Sequence, residues 1–141
     1  FILVPRVKDI QDIYQLDWQD QQQLLNESSM LSELLMQEFK GDKMNVAALG
    51  NVVPQLHFHH IVRFKEDAAW PKPVWGQLPI TPYSDQALKE VKERMQGKIS
   101  AILSEPLAYS VLLYSPLLWL VKRPQQSRCI LWKYADVTHR Q

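Results

Sequence analysis

The stretch Gln55-Leu56-His57-Phe58-His59-His60-Ile61-Val62-Arg63 decides how the rest of the chain is read, because it holds three of the four histidines in an apolar, strand-like run. An extended strand turns successive side chains to opposite faces. Gln55, His57, His59 and Ile61 therefore share one face, and Leu56, Phe58, His60, Val62 and Phe64 share the other. The second face is mostly hydrocarbon and suits a core. The first carries an amide and two imidazoles, roughly 7 Å apart along the strand, which makes poor core material and points to a site.

Working outward, 141 residues are enough for one domain with a real core, and 22% charged against 46% apolar residues is the balance of a globular chain. A net charge of +1 offers no general attraction to nucleic acid or to a membrane surface. Cys129 is the single cysteine, which excludes an internal disulfide and fits a reducing, cytoplasmic setting. The chain opens on Phe1-Ile2-Leu3-Val4-Pro5, an apolar strand with no initiator Met, so earlier strands are expected to be missing.

Phe1 to Val4 reads as a buried strand ended by Pro5. Asp9 to Leu16 reads as a helical turn with Ile10, Ile13 and Tyr14 facing inward. Asp17 is placed to cap a helix whose Leu24, Leu31, Leu35 and Phe39 recur at helical spacing, with Gly41 as the stop. Asp17, Asp20, Glu27 and Glu33 are assigned to the cap and to the solvated face. Met44 to Leu49 reads as a second strand, joined through a Gly50-Asn51 turn to the histidine strand as an antiparallel hairpin. Lys65 to Tyr83 is rich in Pro and Trp and reads as an ordered crossover loop, in which Trp70 and Trp75 are expected to pack. Ser84 caps a helix to about Ile99, with Leu88, Val91 and Met95 on one face. Leu107 to Val121 is apolar, but it spans only about 15 residues where a membrane helix needs roughly 20. It is expected to be a peripheral addition of no assigned role, although Tyr109, Tyr114 and Trp119 would suit an interface.

These residues resemble the histidine triad (HIT) family of nucleotide hydrolases and transferases. The match lies in Gly50-Asn51-Val52-Val53-Pro54-Gln55-Leu56-His57-Phe58-His59-His60-Ile61-Val62-Arg63, set against a family signature of His-φ-His-φ-His-φ-φ. His57 and His59 fall on the second and third signature histidines. Gln55 stands in place of the first, and Val52 in place of a phosphate-binding Ser or Thr. Phe1 to Arg6, Asn45 to Gln55 and Trp70 to Gly76 extend the likeness to a bacterial branch commonly labelled diadenosine tetraphosphate or HIT-like hydrolases. It covers residues 1–99, a HIT-like domain, and leaves 100–141 as a C-terminal extension. The resemblance implies an α+β fold: an antiparallel sheet, lacking N-terminal strands here, with the long helix packed on one face.

The resemblance also implies a chemistry, namely cleavage of a nucleoside phosphate anhydride, ester or phosphoramidate through a nucleotidyl-histidine intermediate. His57 would be the nucleophile, since a neutral ring nitrogen attacks phosphorus near pH 7 without first losing a proton. His59 would donate to a nonbridging oxygen or assist the leaving group. Gln55 would supply an amide hydrogen bond, and Asn45, Gly50 and Asn51 would hold phosphate or ribose. A homodimer acting on an adenosine-containing nucleotide is implied, with no required cofactor beyond a divalent cation accompanying the substrate phosphates. Gln55 and Val52 keep a non-catalytic nucleotide-binding module in play. His-x-His on a strand is also a zinc spacing, though it needs further ligands from His139, Cys129 or a carboxylate. His60 is assigned to structure, and Arg63 to a surface or loop ion pair.

Overall fold

In a computed structural model, residues 1–79, 81–103 and 110–112 are described. Strand β1 (Ile2–Val4) leads through a short 3₁₀ turn (Ile13–Gln15) into helix α1 (Trp18–Phe39). Strands β2 (Lys43–Ala47) and β3 (Phe58–Arg63), helix α2 (Asp85–Ile102) and strand β4 (Ser110–Leu112) follow. The strands form one antiparallel sheet in the order β2-β3-β1-β4. The helix α2 runs past residue 99, and β4 closes the sheet beside β1, so part of the chain beyond 99 belongs to the sheet. The rest of the apolar run from Leu107 to Val121, with Cys129 and His139, lies outside the described residues. No helix among the described residues is long and apolar enough to cross a membrane.

The helix α1 begins where its sequence says it should. Asp17 sits in extended backbone and its Oδ1 accepts the Asp20 amide at 2.8 Å, satisfying one of the four orphan donors of the first turn. Leu24, Leu31 and Leu35 on its inner face are at most 2% exposed and meet Leu3, Leu16, Leu56 and Met95 in a single core. Each such leucine contributes about 1.5–3 kcal/mol of hydrophobic stabilisation. Ser84 caps α2 by accepting the Ala87 amide, and Leu88 and Met95 are buried as the spacing requires.

Several expectations need correction. Tyr14 is 78% exposed and Ile13 40%, so of the three residues expected to face inward only Ile10 packs against the core, and Leu16 beyond the 3₁₀ turn is buried in their stead. Glu27 is 3% exposed rather than solvated: it lies on the leucine stripe, three residues from Leu24 and four from Leu31, and is carried inward with them. At the end of α1 the left-handed residue is Lys40 (φ 56°), not Gly41. Gly41 is small for another reason, since a Cβ there would run into Val62 Cγ1 on β3. The β2–β3 connection is a long loop from Ala48 to His57 rather than a tight Gly50-Asn51 turn. Regular pairing on β3 starts at Phe58, because the Leu56 amide is taken by Ile10 O at 2.7 Å instead of by a strand partner.

Candidate active site

Pairing of β3 with both β2 and β1 fixes which way its histidines point. Ala47 lies opposite His59, Val46 opposite His60 and Ile2 opposite His59 on the other side. His60 turns under α1, where it is 1% exposed. Its Nδ1 is 3.2 Å from Phe58 O and its Nε2 is 2.8 Å from Ser28 Oγ. A carbonyl only accepts, so Nδ1 carries the proton and Nε2 accepts from the serine hydroxyl. Burial pushes its pKa down from 6.5 to about 4, which keeps the ring neutral and structural.

The opposite face carries His57 and His59. Although His57 precedes the regular strand, the alternation persists, and the two ring centroids lie 5.0 Å apart at an interplanar angle of 60°. His57 Nδ1 is 2.6 Å from Gln55 O. Again the carbonyl requires the proton on Nδ1, and the lone pair of the neutral ring is thereby placed on Nε2. His59 has its pKa lowered from 6.5 to about 4, first by burial and then by the neighbouring His57. A ring so depressed is neutral at pH 7 and can donate one N–H hydrogen bond, but it is a poor acid in the absence of an anion.

The remaining candidates divide. Gln55 reaches the site through its backbone, which holds His57, whereas its amide nitrogen donates to Val7 O at 3.1 Å. Asn45 shares the sheet face of His59, one register step along at Ile61, and its Oδ1 accepts from Arg63 at 2.7 Å. Gly50 takes φ 62° in the loop leading to the histidines, and Asn51 beside it is exposed. Val52 is 70% exposed.

Arg63 makes the loop ion pair expected of it, with Asp67, but its burial and its further contacts were not legible in the sequence: it is 1% exposed and joins four partners among the described residues. Its Nε pairs with Asp67 Oδ2 at 2.8 Å, one terminal nitrogen with Asn45 Oδ1, and the other with Lys72 O at 2.9 Å. Its guanidinium lies 5.7 Å from the centre of the Trp70 ring. Partial burial works against the charged form of Asp67, but Arg63 and the Phe64 amide outweigh it and hold the carboxyl below its usual range. The segment pinned in this way delivers Trp75 to His59, with ring centroids 5.8 Å apart and planes at 84°. Local periodicity contained no sign of that meeting. Among the described residues, no group of three or more His, Cys, Asp or Glu is arranged to hold a metal ion.

Comparison with known proteins matches the same region. The HIT domain family profile matches residues 1–66. Similar solved structures include three bacterial histidine triad proteins. A histidine triad protein from Marinobacter aquaeolei VT8 is 56% identical, with a TM-score of 0.68 over 72% of this chain and 74% of that one. One from Sinorhizobium meliloti 1021 is 35% identical, with a TM-score of 0.65 over 68% and 71% of the two chains. One from Bradyrhizobium japonicum is 46% identical, with a TM-score of 0.60 over 72% and 70%. A search of curated proteins returns no match.

Proposed function

The chain belongs to the histidine triad (HIT) family, and on that footing we propose that it is a nucleotide hydrolase acting through a nucleotidyl-histidine intermediate. The observation that carries this reading is the 2.6 Å hydrogen bond from His57 Nδ1 to Gln55 O, which leaves Nε2 as a free lone pair beside His59.

In the proposed step, His57 Nε2 forms a bond to the α-phosphorus of a nucleoside anhydride, ester or phosphoramidate. The bond to the leaving group breaks opposite it, and the leaving group takes the electron pair. The carbonyl of Gln55 steadies the imidazolium that results, since Nδ1–H is already directed at it. His59 donates an N–H to a nonbridging oxygen as charge gathers there. Water then attacks the phosphorus and gives up a proton to solvent, the P–N bond breaks with its electron pair returning to Nε2, and the nucleoside monophosphate leaves with His57 restored. Gly50 and Asn51 in the adjoining loop, and Asn45 on the same sheet face, are the proposed phosphate or ribose contacts. An adenosine-containing substrate, a homodimeric assembly and a divalent cation accompanying the substrate phosphates complete the proposal.

A second reading, a nucleotide-binding module without turnover, draws support from one feature. The Gln55 amide is engaged with Val7, and Val52 offers no hydroxyl, so two polar contacts to phosphate are lost. Incubation with diadenosine tetraphosphate or an adenosine phosphoramidate separates the two. The hydrolase releases AMP, and His57→Ala abolishes the release while leaving AMP binding in place. A wild-type protein that binds AMP but never turns over either substrate refutes the hydrolase.

A further inference from the structure

Among the described residues, His59 is in ring contact with His57 from its own segment and with Trp75 from the crossover loop. The second contact is built with some care. The loop leaves β3 at Arg63, whose guanidinium reaches across it to Asp67 and Lys72 O and lies against Trp70. Backbone hydrogen bonds from Asp67 N to Phe64 O, from Trp70 N to Asp67 O and from Gln77 N to Val74 O make it a chain of turns rather than a slack connection. Gly76 follows the tryptophan with φ 72°, a backbone that L side chains rarely adopt. An arginine this deeply buried is costly unless its donors are met, and here the fork is used on three separate acceptors. Arg63 thus ties β2, β3 and the loop together on the histidine face.

We propose that Trp75 is a positioning residue of the histidine pair: the Arg63-pinned loop sets its indole edge-to-face against His59, fixing the angle of that ring to His57 and excluding water from one side of it. The proposal deepens the hydrolase reading, and for its consequence in turnover it rests on that reading. An edge-to-face pair contributes orientation because the ring quadrupoles favour it over a parallel sandwich. The indole restricts rotation of the His59 ring about its side-chain bonds, and an N–H presented in a constant direction is what a donor to a developing oxyanion needs.

The titratable groups of the protein facing His59 are His57 beside it and His60 behind it. Trp75 is uncharged, so its removal acts through water and geometry alone. The test is NMR observation of the histidine rings against pH in the wild type, Trp75→Ala and Trp75→Phe. In the wild type His59 titrates near 4. In Trp75→Ala its midpoint rises by about one pH unit or more towards the ordinary value, because water returns to the ring. Trp75→Phe restores part of the difference, and the midpoint of His60, buried on the other face, stays in place. If the enzyme turns over substrate, kcat falls in Trp75→Ala more than KM rises. A His59 midpoint unmoved in Trp75→Ala, or a His60 midpoint that moves equally, overturns the proposal. The titration needs no substrate, so it stands or falls separately from hydrolysis.

Discussion

Replacing Glu27 by Gln tests the unexpected burial of a carboxylate against the core. Glu27 is 3% exposed, its Oε1 accepts from Gln23, and its Oε2 has no hydrogen-bond partner among the described residues. Burial pushes its pKa up from 4.5 to about 7, and the Gln23 hydrogen bond only partly opposes this. The folded state therefore holds a proton that the unfolded chain has released between those two values. Stability is fully present below 4.5 and is lost as pH rises through about 7. At ~1.4 kcal/mol per pH unit, the loss amounts to about 3 kcal/mol. Glutamine cannot ionise, so the variant escapes that loss but leaves an amide group short of a partner, at a cost of about 1–3 kcal/mol that does not depend on pH. The informative quantity is thus the change in the difference between the two proteins. Urea denaturation of both at pH 5 and pH 8 should show Glu27→Gln gaining about 2–3 kcal/mol on the wild type across the interval. A difference between the proteins that stays constant with pH would refute the burial argument.

Other outcomes follow from the same structure. Ser28→Ala removes the donor to His60 Nε2 and should cost about 1–3 kcal/mol by urea denaturation; unchanged stability would show that the 2.8 Å hydrogen bond contributes nothing. His60 also has its pKa lowered from 6.5 to about 4, so its contribution is present above 6.5 and is lost as pH falls through about 4, the reverse of Glu27. Gly41→Ala drives a Cβ into Val62 Cγ1, with Arg63 O also only 3.2 Å away, and should lower stability by about 1–3 kcal/mol, read from the denaturation midpoint. Saturation with AMP should raise the NMR titration midpoint of His59 above its value near 4, because an anion beside the ring favours its charged form; a midpoint that stays put would place the phosphate elsewhere.

What could be read from the sequence was what repeats locally. The alternation along Gln55 to Arg63 sends His57 and His59 to one face and His60 to the other whatever the strand pairs with, and the structure keeps that division even where regular pairing has not begun. The leucine spacing in α1 and the Asp17 and Ser84 caps are likewise properties of a few neighbouring residues. The burial of Glu27 follows from the same rule, since it falls on the leucine stripe, and it runs against the ordinary solvation of a charged side chain, which local spacing does not override by itself.

Only the tertiary structure decided which groups meet across long separations. Arg63 finds Asn45 from β2 and Lys72 from the loop, the Gln55 amide turns to Val7, and Trp75 arrives at His59. The physical reason is that backbone geometry sets the direction of a side chain within a turn or two, whereas its partner is set by how loops close and which surfaces they cover. Side-chain direction was therefore written in the order of the residues, and the company each side chain keeps was settled by packing.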